Sequence, residues 1–426
     1  MRKMIIRPAK RLSGEIKVPG DKSISHRAVM IGAVAKGQTV IRGLLDCDDC
    51  NFTIGAFRQM GIAIEKSGDI TTIDGKGLKG LANPGSAINV GSSGTSMRLL
   101  AGILAGQDFE SVLEGSPGLS GRPMKRIVEP LSLMGARIKA TGGDYPPISI
   151  MPGKLKPIDY KLPVSSAQVK SAILLAGLYA DGVTSVEEIF KSRDHTERML
   201  KYFGALVRSD GRKISIKGCS ELMPKSVMIP GDISGASFFL AGAVILKGSA
   251  IKIKDVSINP TRAGFLDVLE KMGAGCELSG RKELFEPAAD VKAASCLTKG
   301  IAIGEEMIPS IIDELPIIFV LASVSKGRTI IKGTEELRVK ETDRIKSMKE
   351  NLEKMGAHIE VNGPDIIIEG VTQLRGASLK SFGDHRTCMA MAIAALSASG
   401  ESEIDDVDCV AKSFPGFFTV LKSLEP

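Results

Sequence analysis

The stretch Leu-Glu-Lys-Met-Gly-Ala-His-Ile-Glu at residues 352–360 has close counterparts elsewhere in the chain. They are LEKMGAGCE at 269–277, LKYFGALVR at 200–208, LSLMGARIK at 131–139 and FRQMGIAIE at 57–65. In each one a helical pattern ends at Gly and alternating apolar residues follow, which predicts a helix with Gly at C′ leading into a strand. These glycines recur roughly every 70 to 80 residues, so the chain consists of repeated units.

A second series of segments runs in phase with the first. Its members are AVMIGAVA, MRLLAGILAG, AILLAGLYA, SFFLAGAVIL, LPIIFVLASV and MAMAIAALSA. Each predicts a helix that is apolar on nearly all sides and therefore buried, and each is followed by a turn and a strand. We expect an α/β protein with six units of βαβαββ type.

A third repeat divides the chain into halves. Val18-Pro19-Gly20-Asp21-Lys22-Ser23 is echoed by Ile229-Pro230-Gly231-Asp232-Ile233-Ser234. We expect two domains of three units each, one discontinuous (1–19 and 231–426) and one continuous (20–230). The strand in GEIKVPG then belongs to the C-terminal half.

Composition narrows the class of function. The chain has 426 residues, a net charge of +7, 4% aromatic residues and no Trp. It lacks Lys/Arg runs and aromatic stacking platforms, so we expect no nucleic-acid partner. No apolar stretch reaches the roughly 20 residues of a membrane span. We therefore expect a cytoplasmic monomer without membrane contact.

The seven cysteines are scattered, and only Cys47 and Cys50 form a CxxC pair. Because no second pair or nearby His completes a zinc set, reduced thiols are the favoured interpretation. We expect neither a metal nor a cofactor. The chain also lacks GxxxxGK[ST] and GxSxG, which leaves P-loop and acyl-transfer chemistry unsupported, and we expect no dinucleotide cofactor.

Small polar or glycine-rich clusters precede the buried helices. They lie at residues 22–25, 91–95, 165–168, 231–234, 312–314 and 383–386. Such residues are ordinary N-caps, and capping alone implies no ligand. Basic side chains lie at or near the same junctions, however: Lys22, Arg27, Arg98, Arg122, Arg193, Lys340, Arg344, Arg386 and Lys412. Helix N-termini that converge on an interdomain cleft with these cations would suit anionic ligands.

The motifs resemble those of the 5-enolpyruvylshikimate-3-phosphate synthase family over essentially the whole chain. In order they are PGDKSISHR, GTSMR, GRPMKR, SSAQVK, SRDHTERM, NPTR, IDELPI, RVKETDR, GDHR and AKSFP. The resemblance implies a two-domain inverted α/β barrel-like fold with the active site in the interdomain cleft. It also implies transfer of the enolpyruvyl group of phosphoenolpyruvate to the 5-hydroxyl of shikimate 3-phosphate, with loss of phosphate from a tetrahedral intermediate.

The resemblance further implies roles for individual residues. The acid–base set would be Lys22, Asp313, Glu341 and His385. Ligands of shikimate 3-phosphate would be Lys22, Ser23, Arg27, Ser166, Gln168, Ser192, Arg193, Asp313 and Lys340. Ligands of phosphoenolpyruvate would be Lys22, Gly94, Arg122, Gln168, Arg344, Arg386 and Lys412. Members that tolerate glyphosate often have Ala at the place of Gly94, so the resemblance implies that this chain is sensitive to glyphosate and that glyphosate competes with phosphoenolpyruvate.

The sequence departs from the family pattern at Ser93, Ala167, His195 and Glu336, which puts a substrate contact of Ser93 in doubt. The nearest alternative is the sister transferase that acts on UDP-N-acetylglucosamine. That family has a Cys in the loop before its Arg-Pro motif, whereas the loop here, residues 115–123, has none. An RNA 3′-terminal phosphate cyclase type of enzyme and a non-enzymatic binding module are the remaining alternatives.

Overall fold

A computed structural model describes residues 2–425, which form two compact units. The discontinuous unit comprises Met1–Pro19 and Pro230–Pro426, and the continuous unit comprises Gly20–Ile229. The chain passes from one unit to the other within the two Pro-Gly segments identified in the sequence. We describe each unit by itself.

Over residues 2–425 the strands, in chain order, are β1 (Met4–Ile6), β2 (Ser13–Lys17), β3 (Lys36–Arg42), β4 (Ala63–Ser67), β5 (Ile70–Lys76), β6 (Ile88–Asn89), β7 (Ser111–Glu114), β8 (Arg137–Thr141), β9 (Tyr145–Met151), β10 (Asp159–Lys161), β11 (Val183–Glu187), β12 (Val207–Asp210), β13 (Lys213–Lys217), β14 (Ser226–Met228), β15 (Ala250–Ser257), β16 (Glu277–Lys282), β17 (Ala288–Ala294), β18 (Ala302–Ile303), β19 (Arg328–Ile331), β20 (His358–Asn362), β21 (Asp365–Glu369), β22 (Ser378–Leu379) and β23 (Ser402–Ile404).

The α-helices over the same residues are α1 (Lys22–Val34), α2 (Asp48–Gln59), α3 (Gly94–Leu104), α4 (Pro117–Ser120), α5 (Lys125–Leu133), α6 (Ala167–Gly177), α7 (His195–Tyr202), α8 (Ile233–Ile245), α9 (Gly264–Lys271), α10 (Ile308–Ile311), α11 (Leu315–Val324), α12 (Arg344–Lys354), α13 (His385–Leu396) and α14 (Phe417–Leu424). Short 3-10 helices span Glu305–Met307, Glu335–Val339 and Asp408–Lys412.

The sheets of the continuous unit repeat one topology. Their strand orders are β14-β3-β5-β4, β6-β7-β9-β8 and β10-β11-β13-β12. In each sheet the first pair is parallel and the other two pairs are antiparallel. The strand order follows from a βαβαββ unit: α3 connects the parallel pair β6–β7, α6 connects the parallel pair β10–β11, and a tight turn closes the last hairpin of each sheet.

The discontinuous unit repeats this topology twice, in β2-β15-β17-β16 and β18-β19-β21-β20. The N-terminal strand β2 pairs in parallel with β15, so the strand in GEIKVPG contributes to a sheet of the C-terminal half. In exchange β14, from just before the second Pro-Gly segment, pairs in parallel with β3.

The sixth unit differs from the expected pattern. Its sheet has the order β1-β23-β22, and its antiparallel strand β1 comes from the start of the chain. After β23 the chain forms a 3-10 helix and α14 instead of a hairpin. The helix–Gly–strand series has five members for the same reason, because the sixth unit has no second helix that leads into a strand.

The two sequence series behave as predicted. The glycines at 61, 135, 204, 273 and 356 follow helices α2, α5, α7, α9 and α12, with φ between 81° and 95°. This left-handed conformation is the one that Gly adopts without steric cost. The apolar helices α1, α3, α6, α8, α11 and α13 are buried along nearly their whole lengths.

No single helix within residues 2–425 is both long and apolar enough to cross a membrane. One bent pair, Glu305–Ile311 with Leu315–Val324, meets the length and composition criteria together, with a bend of 114° between its parts. The second part is α11, whose residues 315–323 are buried within the discontinuous unit.

Candidate functional site

Side chains at the N-terminal ends of the buried helices are joined to one another in the continuous unit. Gln168 of α6 donates a hydrogen bond from Nε2 to Thr95 Oγ1 of α3 over 3.0 Å. Arg27 of α1 donates from Nη2 to Ser171 Oγ of α6 over 2.9 Å. Side-chain hydrogen bonds therefore link α6 to both α3 and α1 near the N-terminal ends of these helices.

Lys22 lies in the first turn of α1, beside the start of α2. Its Nζ donates to Asp49 Oδ2 over 3.1 Å, and the two side chains are only 14% and 13% exposed. The helix itself is capped by Asp21, whose carboxylate accepts from the backbone N–H of Ile24. The N-cap of α1 and the cation in its first turn are thus different residues, Asp21 and Lys22.

Gly94 is the first residue of α3 and lies against two guanidinium groups. An added Cβ would be 2.9 Å from Arg98 Nη1 and 3.2 Å from Arg122 Nη1. Arg98 Nη1 also donates to Gln168 Oε1 over 2.7 Å. The predicted phosphoenolpyruvate ligands Gly94, Arg122 and Gln168 therefore lie together, and Arg98 is an additional cation among them.

The predicted shikimate 3-phosphate ligands of this unit differ in accessibility. Ser23, Ser166, Gln168 and Arg193 are partly exposed, whereas Ser192 and Arg27 are 2% and 3% exposed. Arg27 donates to Thr196, Ser171 and the backbone carbonyl of Ser23. The side chain of Arg27 therefore links α1 to α6 and to α7.

Ser93, one of the departures from the family pattern, is 1% exposed and caps α3. It belongs to a chain of buried side chains: His26 Nδ1 lies 2.7 Å from Thr53 Oγ1, which lies 2.7 Å from Ser96 Oγ, and Ser96 Oγ donates to Ser93 Oγ. Burial, Lys22 and Arg27 hold the pKa of His26 well below its usual range. The sequence did not indicate this network.

Arg344 is the centre of the corresponding cluster in the discontinuous unit. It is 1% exposed, and its guanidinium contacts Asp384 (2.7 Å), Glu341 (2.6 Å) and Asp313 (3.4 Å). Burial alone would lower the pKa of Arg344, but these three carboxylates outweigh it and raise the pKa. Asp384 is also the N-cap of α13, so the cluster is anchored to a helix N-terminus.

Asp313 also contacts a second arginine, Arg386. Arg386 Nη2 lies 3.4 Å from Asp313 Oδ2, and Arg386 Nη1 donates to the backbone carbonyl of Asp313 over 3.1 Å. Lys340 is half-buried nearby; burial lowers its pKa to about 8, Asp313 opposes that lowering and Arg344 adds to it. The predicted residues Asp313, Lys340, Glu341, Arg344 and Arg386 thus form one electrostatic cluster.

The remaining two predicted residues lie at the start of α13. His385 is 2% exposed, with Nδ1 3.8 Å from Asp384 Oδ1. Lys412 donates from Nζ to the backbone carbonyl of Gly383 over 2.9 Å. Both residues are therefore tied to the same helix N-terminus that anchors Arg344.

Sequence analysis missed two buried ion clusters behind these groups. In the discontinuous unit Arg262, from the NPTR motif, pairs with Glu314 over 2.7 Å and also contacts Ser234 and Asp232. In the continuous unit Lys170, from the SSAQVK motif, pairs with Glu188 and Glu197. Arg262 and Lys170 lie in motifs that the sequence shows, but the spacing of residues along the chain does not predict that these two side chains are buried.

Within residues 2–425 no group of three or more His, Cys, Asp or Glu side chains is arranged to hold a metal ion. Cys47 and Cys50 are both buried and contact each other at the start of α2, and a hydrogen bond from the Cys50 thiol lowers the pKa of Cys47.

Known proteins match the chain over its length. A family model described as EPSP synthase (3-phosphoshikimate 1-carboxyvinyltransferase) matches residues 6–421. A 3-phosphoshikimate 1-carboxyvinyltransferase from Citrifermentans bemidjiense is 48% identical, covering 100% of this chain and 99% of the relative. One from Brevibacillus brevis is 49% identical, covering 98% of each. The solved structure of EPSP synthase from Acinetobacter baumannii is 44% identical with a TM-score of 0.89, covering 100% of this chain and 98% of that chain.

Proposed function

The chain belongs to the EPSP synthase (3-phosphoshikimate 1-carboxyvinyltransferase) family, and from that premise we propose how its residues divide the work. It is a transferase that moves the enolpyruvyl group of phosphoenolpyruvate to shikimate 3-phosphate. The fold is the two-domain inverted α/β fold of that family. The assignment of residues to steps is our proposal.

The continuous unit supplies groups that bind anions. Each substrate has a phosphate of about −1.5 to −2 charge in addition to a carboxylate. We propose that Lys22, Ser23, Arg27, Ser166, Gln168, Ser192 and Arg193 bind shikimate 3-phosphate, and that Lys22, Gly94, Arg122 and Gln168 bind phosphoenolpyruvate. The proximity of Gly94, Arg122 and Gln168 supports the second set. Guanidinium groups suit both anions because they bind carboxylate and phosphate through two parallel hydrogen bonds.

The discontinuous unit supplies the proposed acid–base groups other than Lys22, and the observation that carries this proposal is the contact of Asp313 with two arginines. Two guanidinium groups stabilise an ionised carboxylate, which can accept the proton of the attacking 5-hydroxyl. Asp313 and Lys340 would also hold shikimate 3-phosphate, while Arg344, Arg386 and Lys412 would hold phosphoenolpyruvate. His385 and Lys22 complete the proposed acid–base set.

Glu341 is the proposed donor of a proton to the methylene carbon of phosphoenolpyruvate. To donate, it must be protonated, yet its Oε2 accepts a 2.6 Å hydrogen bond from Arg344, which favours the ionised form. We propose that Arg344 forms an ion pair with the carboxylate of phosphoenolpyruvate when this substrate binds. This new ion pair replaces the one between Arg344 and Glu341. The side chain of Glu341 is 26% exposed and can take up a proton from water.

The comparisons favour this reaction over transfer to UDP-N-acetylglucosamine, because the matched family and relatives are named for shikimate 3-phosphate. The absence of a Cys from residues 115–123 agrees with that preference. A monomeric state and a cytoplasmic location stay predictions. Light scattering during gel filtration measures the first.

A coupled phosphate-release assay tests the proposed function. Phosphoenolpyruvate is supplied with either shikimate 3-phosphate or UDP-N-acetylglucosamine as the acceptor. We expect phosphate release only with shikimate 3-phosphate and without added metal ion. Release with the nucleotide sugar instead would support the sister reaction, and release with neither would support a binding module.

A further inference from the structure

The ion cluster of Lys170, Glu188 and Glu197 lies wholly inside the continuous unit. Lys170 Nζ donates to Glu197 Oε1 over 2.7 Å, to Glu188 Oε2 over 2.9 Å and to the backbone carbonyl of Ser192 over 3.3 Å. The lysine is 0% exposed, and these acceptors match its three N–H groups. Burial would lower the pKa of Lys170, but the two carboxylates outweigh burial and raise it, so the ammonium stays charged.

The second oxygen of Glu188 faces Ser192. Glu188 Oε1 accepts from the backbone N–H of Ser192 over 3.2 Å and also from its hydroxyl. With the contact from Lys170, the cluster therefore holds the N–H, the C=O and the side chain of one serine. Ser192 lies between the end of β11 and the start of α7, where no helix or strand hydrogen bonds fix the backbone.

A buried ion cluster is a poor means of stabilising a fold, since removing charges from water offsets most of their attraction. This cluster has two carboxylates for one ammonium group, and Oε2 of Glu197 is buried without a hydrogen-bond partner among residues 2–425. An apolar core would pack here at no such cost. What the charges add is a defined geometry at Ser192.

We propose that Lys170 and Glu188 are positioning residues that set Ser192 in the orientation in which it contacts shikimate 3-phosphate. The proposal rests on the proposed function, in which Ser192 is a ligand of that substrate. The cluster adjoins other proposed ligands: Gln168 lies on the same helix as Lys170, and Arg27 contacts Ser171 and Thr196, the neighbours of Lys170 and Glu197 in the chain.

The chain offers a matched pair of variants, Glu188→Gln and Glu197→Gln. Each removes one carboxylate charge from the same lysine at constant size, but only Glu188 contacts Ser192. A glutamine at 188 can turn its carbonyl to Lys170 or to Ser192, and its NH₂ group then faces a donor on the other side. A glutamine at 197 can keep its carbonyl on Lys170 and place its NH₂ group where Oε2 of Glu197 is buried, a site that makes no hydrogen bond to Ser192.

The experiment measures the Kd of shikimate 3-phosphate by calorimetry, and kcat and KM for phosphoenolpyruvate by phosphate release. We expect Glu188→Gln to raise the Kd about five- to tenfold, because it loses one or two hydrogen bonds to Ser192 or Lys170. We expect Glu197→Gln to change the Kd less than about twofold. Both variants should keep kcat and the KM for phosphoenolpyruvate close to the unsubstituted values. Ser192→Ala should raise the Kd by a similar factor, and Glu188→Gln should add little in the Ser192→Ala background.

The outcomes separate the two proposals. If Ser192→Ala leaves the Kd unchanged, the assignment of Ser192 as a ligand is wrong, and the positioning proposal is wrong with it. If Ser192→Ala raises the Kd but Glu188→Gln acts additively, or no more strongly than Glu197→Gln, only the positioning proposal is overturned. Should Glu188→Gln not fold, Glu188→Asp keeps the charge but withdraws it by one methylene, and it is expected to show the same non-additivity with Ser192→Ala.

Discussion

The two Pro-Gly-Asp segments precede two buried helices of the same length. At corresponding positions, however, α1 has cationic side chains and α8 has apolar ones. In the continuous unit Asp21 caps α1, and in the discontinuous unit Asp232 caps α8. Both preceding glycines are required by close packing, since a Cβ at Gly20 would lie 2.0 Å from a backbone oxygen and one at Gly231 would lie 2.8 Å from Val18. The starts of α1 and α8 therefore share an Asp N-cap and a closely packed Gly before it.

The difference lies at two positions of each helix. Lys22 and Arg27 of α1 correspond to Ile233 and Phe238 of α8, which are both 0% exposed. Phe238 packs edge-to-face on Phe417, with ring centroids 6.0 Å apart. The corresponding positions thus have cationic side chains in α1 and apolar side chains in α8.

A capped helix N-terminus is therefore not sufficient evidence for an anion site in this protein. The cap satisfies backbone N–H groups in both units, whereas the charge that would hold a ligand comes from side chains that only α1 has. The discontinuous unit obtains its cations from α12, α13 and the 3-10 helix Asp408–Lys412, and it combines them with the carboxylates Asp313 and Glu341. We infer that both units contribute cations to substrate binding, whereas the carboxylates of the proposed acid–base set, Asp313 and Glu341, come from the discontinuous unit alone.

The largest effect is expected from Asp313→Ala. Loss of a general base typically lowers kcat on the order of 10²- to 10⁴-fold, while the Kd of shikimate 3-phosphate should rise less than about tenfold because the proton moves only in the transition state. Phosphate release and calorimetry measure the two quantities. Glu360→Ala removes an exposed carboxylate of β20 in the same unit and serves as the control. Near-normal kcat in Asp313→Ala would contradict the proposal that the discontinuous unit supplies the general base.

Lys22→Ile makes α1 resemble α8 at this position and is expected to weaken both substrates. Loss of a charge-assisted hydrogen bond corresponds to roughly a ten- to hundredfold rise in Kd for shikimate 3-phosphate and in KM for phosphoenolpyruvate. Lys36→Met, at a side chain that is 68% exposed, is the control for lost charge alone.

The reciprocal variant Ile233→Lys sharpens the comparison. It places an ammonium group at a fully buried position, so we expect a free energy of unfolding lower by several kcal/mol and no new anion binding. A stable Ile233→Lys variant that bound phosphate would contradict this expectation and show that a lysine added at this helix start is enough to create an anion site.

Binding of shikimate 3-phosphate should also depend on pH through Lys340. Because the pKa of Lys340 is lowered to about 8, its ammonium is charged below that pH and neutral above it. The Kd should therefore rise as pH rises, by about tenfold between pH 7 and pH 9. In Lys340→Arg the side chain stays charged throughout, so that rise should be abolished. Equal pH slopes for the two proteins, measured by calorimetry, would remove Lys340 from the binding set.

The smallest effect is expected from Gly94→Ala. Gly94 does not have the left-handed φ that would exclude Ala, so folding should be preserved. The new methyl group would press on the guanidinium groups of Arg98 and Arg122, which can shift by a few tenths of an ångström. We expect the KM for phosphoenolpyruvate to rise a few fold, and the Ki of the longer ligand glyphosate to rise more. Steady-state inhibition measures both, and equal changes would contradict a local steric effect.

Much of the architecture was predictable because it depends on local patterns. The left-handed glycines after α2, α5, α7, α9 and α12 and the burial of the apolar helices follow from spacing and composition alone. The three-stranded sixth sheet was not predictable, since β1 reaches it from the opposite end of the chain. The site was predicted only through motif resemblance, because isolated Asp, Ser and Arg residues have the same local signal in caps and in ligand sites.

The sequence by itself determined the repeat, the buried helices, the family and hence the reaction, since these depend on residue types at regular or characteristic spacings. Only the tertiary structure decided which charges meet. Lys22 pairs with Asp49, Arg344 contacts Asp384, Glu341 and Asp313, and Lys170 and Glu188 both contact Ser192. The energy of such pairs depends on burial and on separations of a few ångströms between residues remote in the chain, and one-dimensional spacing contains neither quantity.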